Sequence, residues 1–162
     1  MILGHSDILS AVKEKGLIEN FIHANLKGAG YDLRVGRIYK LKSGGLISVK
    51  DRRTPEVEEI IDKIYKLMPN EYVLLETVEK VIIPSNVIAR ILPRSSVFRS
   101  GCMLITAVVD PGFKGTLTMG IKNISEHPFE LEKNSSIAQI VFEEVSGKTK
   151  LYSGRYQGGK VV

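Results

Sequence analysis

From Tyr31 onward the chain is a succession of short runs rich in Val, Ile, Leu, Tyr and Thr, each closed within a few residues by Gly, Pro or Asn. YDLRV, GRIYKL, LISV, YVLLETVEKVII, VIARIL, CMLITAVVD, TLTMGIKN, FELE and SIAQIVFEEV are such runs. β-Branched and aromatic residues suit a pleated, half-buried surface, and the punctuating residues supply the turns. Strands so short and so frequent predict an all-β sandwich or barrel.

Two segments depart from this pattern. Ser6 followed by DILSAVKEKG predicts an N-capped helix with Ile8, Leu9 and Val12 on its apolar stripe and Gly16 at its end. In EVEEIIDKIYKLM the spacing of Val57, Ile60, Ile61, Ile64 and Leu67 predicts a second helix over 56–68, closed by Pro69. Both are expected to be surface helices covering a sheet end.

The chain has 162 residues and shows no internal repeat or linker-like stretch, so one domain over 1–162 is expected, with a mobile glycine-rich tail over 152–162. Its one cysteine, Cys102, has no intrachain partner and fits a reducing cytosol, so a cytoplasmic protein is expected. The longest apolar stretch, Met103 to Val109, falls far short of the roughly 18 residues of a membrane span. Asp7 and Lys13 interrupt the apolar run that a cleaved leader needs, so neither membrane association nor a leader is expected. A formal charge of +5 favours anionic partners. The basic residues are dispersed and Trp is absent, which argues against a nucleic-acid surface and leaves a small phosphorylated ligand.

Four segments, in order, carry a resemblance: GAGYDLRVG (Gly28 to Gly36), LPRSSVFRSG (Leu92 to Gly101), ITAVVDPGFKG (Ile105 to Gly115) and SSIAQIVFEEV (Ser135 to Val145). With the tail SGRYQGG (Ser153 to Gly159), the chain resembles the dUTPase and dCTP deaminase superfamily over nearly its whole length. The resemblance implies a distorted jelly-roll with one or two short peripheral helices, a homotrimer, and active sites shared at subunit boundaries.

It also implies roles. Asp110, at a strand end before the turn Pro111-Gly112, matches the carboxylate that orients or deprotonates the attacking water in triphosphate cleavage. Phe113 falls where a ring packs under the deoxyribose and leaves no room for a 2′-hydroxyl. Arg94, Ser95 and Ser96, read as a turn between strands, and Arg99 match residues that reach the triphosphate. Gln139 matches a phosphate or sugar-edge donor, and Tyr152 and Arg155 in the tail match γ-phosphate contacts. Asp32 either supports a metal-bound triphosphate indirectly or pairs with an arginine to fix its motif. The implied cofactor is Mg²⁺, carried mainly by the triphosphate.

Gly120 is the discriminating position. Related deaminases place a glutamate ten residues after the motif aspartate to activate water for attack on the base, and this chain has glycine there. A zinc deaminase site, with its Cys-x-x-Cys pair, is excluded by the single cysteine. Strict alternation in TLTMGIKN would put Leu117, Met119 and Ile121 on one face and turn Thr116, Thr118 and Gly120 toward a pocket, with open space at Gly120. The expected activity is dUTP diphosphatase, giving dUMP and pyrophosphate. The alternatives are a dCTP deaminase or bifunctional enzyme with a different base, and a non-catalytic deoxynucleotide-binding regulator.

Overall fold

The computed structural model describes residues 1–162. In chain order the elements are α1 (His5–Lys15), β1 (Ile18–Glu19), β2 (Tyr31–Leu41), β3 (Leu46–Ile47), β4 (Arg52–Arg53), β5 (Val57–Ile60), β6 (Ile64–Leu67), β7 (Tyr72–Ile82), β8 (Val87–Pro93), α2 (Ser95–Arg99), β9 (Cys102–Ile105), β10 (Val108–Val109), β11 (Lys114–Asn123), β12 (Phe129–Glu132) and β13 (Ser136–Glu144). The all-β expectation holds, with 46% of residues in strands and 12% in helices.

One curled antiparallel sheet organises the chain in the order β10-β8-β13-β2-β7-β11-β9, with β1 and β5 pairing off this path onto β7 and β2. The long strands β2, β7 and β11 lie side by side, and their inward residues Leu33, Val35, Ile38, Val73, Leu75, Met119 and Ile121 are buried.

Helix α1 forms, but its cap lies earlier than Ser6. Gly4 is the N-cap, and the Asp7 carboxylate accepts from the Gly4 N–H at 3.2 Å. Gly16 ends the helix in the left-handed conformation (φ 64°), as its place after the last apolar turn indicated. Ile8 is fully buried, and Leu9 and Val12 pack against the same core.

The helix expected over 56–68 is two strands. β5 adds to the edge of β2, with Ile60 opposite Ile38, and β6 pairs with β12, with Leu67 opposite Phe129. Only Ile60 and Leu67 of the five spaced apolar residues are buried, while Ile61 and Ile64 face solvent. The helical spacing was accidental; β-branched residues at 57, 60, 61 and 64 suit a strand as well, and unpaired sheet edges decided the outcome.

Candidate active site

Asp110 directly follows β10 and opens a tight turn in which the Phe113 N–H donates to the Asp110 carbonyl at 3.1 Å. Gly112 occupies φ 83°, a left-handed position that lets the chain reverse there, and an added Cβ would press on Leu151 at 3.0 Å. The turn feeds β11 and leaves a cavity of about 270 Å³. Asp110 is the only carboxylate on its lining, and Phe113, Leu117, Val109 and Ile91 form its apolar floor. A small apolar cavity with a few convergent polar groups is the usual form of a nucleoside-sized site.

The tail completes the cavity. The Tyr152 N–H donates to the Pro111 carbonyl at 2.7 Å, and the Tyr152 ring meets Phe113 edge-on at 5.5 Å. Gln157 straddles the motif turn, accepting from the Lys114 N–H at 2.9 Å and donating to the Gly112 carbonyl at 3.0 Å. Tyr156, Lys160 and Val161 then line the cavity opposite Thr116 and Thr118. Arg155 points elsewhere, donating to Thr54 Oγ1 at 3.2 Å.

Strict alternation fails in β11. The pairing with β7 shifts register between Thr116 and Thr118, so Leu117 lines the cavity together with both threonines. Gly120 is buried and absent from the lining. An added Cβ at Gly120 would lie 2.3 Å from the Tyr72 hydroxyl, so the space beside it is filled by the Tyr72 ring and not open. Burial of that ring pushes the Tyr72 phenol upward. Gly120→Ala is expected to cost about 1–3 kcal/mol of stability through overpacking, measured by urea unfolding. A loss below about 0.5 kcal/mol, the range of a bland surface change, would mean that Tyr72 swings aside freely.

The phosphate-binding candidates form a second cluster, at the other end of β8. Arg94 is the N-cap residue of α2, so PRSS is a helix start and not the bare turn expected. Its guanidinium lies 3.4 Å from the Asp32 carboxylate and donates to the Ser136 carbonyl at 3.1 Å. Gln139, opposite Asp32 in the β13–β2 pairing, donates to it at 3.4 Å, and Lys27 lies 3.6 Å away. Asp32 thus pairs with an arginine. Ser95, Ser96 and Arg99 are exposed on α2, with Arg99 over the Phe98 ring. None of Arg94, Ser95, Ser96, Arg99 or Gln139 lines the Asp110 cavity. Val109 stands opposite Ala89 on β8, five residues before Arg94, which puts roughly 17 Å between the two clusters along the strand.

The matching family model, described as dCTP deaminase-like, spans residues 2–145. The chain belongs to that family. A dCTP deaminase from Pyrococcus horikoshii is 39% identical over 148 residues, covering 91% of this chain and 88% of the relative. A probable deoxyuridine 5′-triphosphate nucleotidohydrolase from Methanothermobacter thermautotrophicus is 36% identical over 129 residues, covering 80% and 85%. Among solved structures, the 2′-deoxycytidine 5′-triphosphate deaminase from Agrobacterium tumefaciens has the same fold, with TM-score 0.70 at 16% identity over 90% of this chain. This chain spans 48% of that longer one. A Staphylococcus bacteriophage 80alpha dUTPase, the G164S mutant with dUpNHpp, has TM-score 0.52 at 19% identity, covering 84% and 85%. The family therefore contains enzymes of both names, and the chain is an enzyme of the dUTPase and dCTP deaminase family.

Sequence reasoning missed Glu76. It is 8% exposed, accepts from the Tyr39 hydroxyl and the Thr116 hydroxyl at 2.8 Å each, and has the Arg37 guanidinium at 3.8 Å. Desolvation, followed by the bond to Glu76, raises the Tyr39 phenol. Thr116 thus ties a carboxylate on β7 to the cavity wall. The only signal in the sequence was an acidic residue inside the otherwise apolar run YVLLETV.

Proposed function

We propose that the protein is a Mg²⁺-dependent dUTP diphosphatase releasing dUMP and pyrophosphate. The observation that carries this reading is that Asp110 is the one carboxylate on the cavity lining, while the position of the deaminase glutamate is Gly120, closed over by Tyr72. Asp110 orients and deprotonates the attacking water, and Phe113 forms the floor for the deoxyribose.

Arg94, Ser95, Ser96, Arg99 and Gln139 hold phosphate oxygens. Because they stand at the far end of β8 from Asp110, one chain does not bring both clusters to one nucleotide, and a homotrimer with sites shared across its boundaries supplies both. Asp32 fixes Arg94 for that task. Mg²⁺ carried by the triphosphate would neutralise charge developing on the phosphates. Such a cation would arrive with the triphosphate and keep several of its waters.

Glu76 favours a second reading, a bifunctional dCTP deaminase. It stands opposite Thr118 in the β11–β7 pairing and bonds Thr116, so it is a buried carboxylate on the strand beside Gly120, which itself offers none. Incubating the protein with dUTP and with dCTP, with and without Mg²⁺, separates the readings. Pyrophosphate from dUTP without ammonia from dCTP supports the first, ammonia release the second, and binding without turnover an idle regulator.

Truncation after Leu151 is expected to leave the sheet folded, since no strand lies beyond Glu144, and to lower dUTP turnover on the order of tenfold or more by removing the Tyr152, Tyr156, Lys160 and Val161 wall. Unfolding of the truncated chain, read by circular dichroism, would make the tail structural instead.

A further inference from the structure

The eight arginines are not equally provided with partners. Arg34, Arg37, Arg90 and Arg94 each face a carboxylate, on Glu79, Glu76, Glu143 and Asp32, and Arg99 lies over the Phe98 ring. Arg52, Arg53 and Arg155 have neither an acidic nor an aromatic partner, and these three meet at one place.

Arg52 and Arg53 make up β4, opposite Ile47 and Leu46 of β3, in a hairpin whose paired residues are all exposed. With Thr54, Pro55 and the tail residue Tyr156 they line a second cavity, of about 520 Å³, on which no carboxylate stands. Arg155 reaches its rim, donating to Thr54 Oγ1 at 3.2 Å. Tyr156 also lines the Asp110 cavity, so the two cavities share a wall, and Lys160 adds a further cation on the Asp110 side. Asp51 precedes the two arginines without pairing with them; its backbone N–H and carbonyl close the hairpin turn onto Ser48. Folding does not call for the cluster, since neutral polar residues would keep an exposed hairpin solvated without repelling one another. A planar, permanently charged fork matches phosphate oxygens, and several such forks without counter-charge suit an anion carrying more than one charge.

We infer that the β3–β4 hairpin is an oligophosphate-binding arm: Arg52 and Arg53, joined by Arg155, take the terminal phosphates of a nucleotide seated in the Asp110 cavity, and free pyrophosphate by the same contacts. For the nucleotide, the inference rests on the dUTP diphosphatase reading; for pyrophosphate it does not. The arm belongs to the chain that carries Asp110, so it grips the phosphates from the side of the tail, while the Arg94 cluster of a neighbouring subunit serves the other side.

The test compares the full chain with a double variant, Arg52→Gln with Arg53→Gln, and with Lys13→Gln with Lys15→Gln, which removes the same charge from exposed positions on α1, outside the lining of the Asp110 cavity and of the hairpin cavity. Calorimetric titration of inorganic pyrophosphate in the presence of Mg²⁺ should show affinity about three- to tenfold weaker in the arginine double variant, as for loss of charge-assisted bonds at an exposed site. The KM for dUTP should rise by a similar factor, with inhibition by dUMP, whose single phosphate does not reach the arm, unchanged. The lysine double variant should match wild type in all three measurements. Because β4 is exposed, the thermal midpoint of the arginine double variant should stay near wild type. Unchanged pyrophosphate affinity and KM overturn the inference. Equal weakening in the lysine double variant assigns the effect to net charge and overturns it too, and an equal loss of dUMP affinity does so by placing the arginines beside the nucleoside. Weakened pyrophosphate binding in a protein that releases none from dUTP upholds the arm and overturns the diphosphatase reading alone.

Discussion

Asp110→Asn is expected to lower kcat for dUTP by about 10²–10⁴-fold, the usual contribution of a positioned general base, with KM close to wild type. The amide matches the carboxylate in shape but neither takes a proton from water nor carries the charge that orients it. Stability should change by less than about 0.5 kcal/mol, because the Asp110 side chain is exposed and makes no hydrogen bond or ion pair within the chain. The contacts that shape the turn are backbone ones, from Phe113 N–H to the Asp110 carbonyl and from Tyr152 N–H to the Pro111 carbonyl, and they survive the substitution. Steady-state kinetics with calorimetric titration of a non-hydrolysable dUTP analogue separates chemistry from binding. Turnover within a few-fold of wild type would remove Asp110 from the mechanism; lost binding with turnover reduced in proportion would make it a ligand contact.

The strands were legible because β-branched and aromatic runs are closed by Gly, Pro and Asn turns, and β7, β8 and β13 each fall within such a run. The segment 56–68 was misread for a physical reason: a few β-branched residues satisfy helical and extended spacing equally, and only long-range pairing with β2 and β12 distinguishes them. Asp110 and Phe113 were legible as one motif because they sit on one short turn, where chain proximity guarantees spatial proximity. Arg155 was paired with Tyr152 by the resemblance, and two side chains three residues apart in an irregular tail diverge here, one onto Phe113 and the other onto Thr54.

Gly120 shows the limit more sharply. The sequence records that a side chain is missing, but whether the gap is open depends on Tyr72, which is distant in the chain and lies on the neighbouring strand. A carboxylate introduced at Gly120 alone therefore meets the Tyr72 ring before it reaches any ligand, and restoring a deaminase-like glutamate requires shortening Tyr72 as well. Thr118 was likewise visible only as one of three residues on a presumed face, and that its buried hydroxyl finds no partner is a property of the folded neighbourhood.

Glu79→Ala is expected to be the most destabilising single change, at about 3–5 kcal/mol, the cost of breaking a buried ion pair from one side. Glu79 is fully buried on β7 and gathers three donors: the Arg34 Nε at 2.7 Å, the Arg34 backbone N–H at 2.9 Å and the Tyr31 hydroxyl at 3.2 Å. Arg34 in turn donates to the Asn20 carbonyl, so the carboxylate ties β2, β7 and the loop after β1 to one point. Removing it leaves a mostly buried guanidinium without its counter-charge and strands two further donors away from water. Tyr31 and Arg34 flank Asp32 on β2, so the damage reaches the Arg94 cluster through the strand that carries it. Urea unfolding should show the loss as a shift in midpoint with an unchanged slope. Replacing both charges, as in Arg34→Met with Glu79→Leu, should lose less than Glu79→Ala alone, because it removes the unpaired guanidinium along with the carboxylate. A double variant as unstable as the single one would assign the loss to the Tyr31 hydroxyl and the Arg34 backbone N–H, which both variants leave without their acceptor.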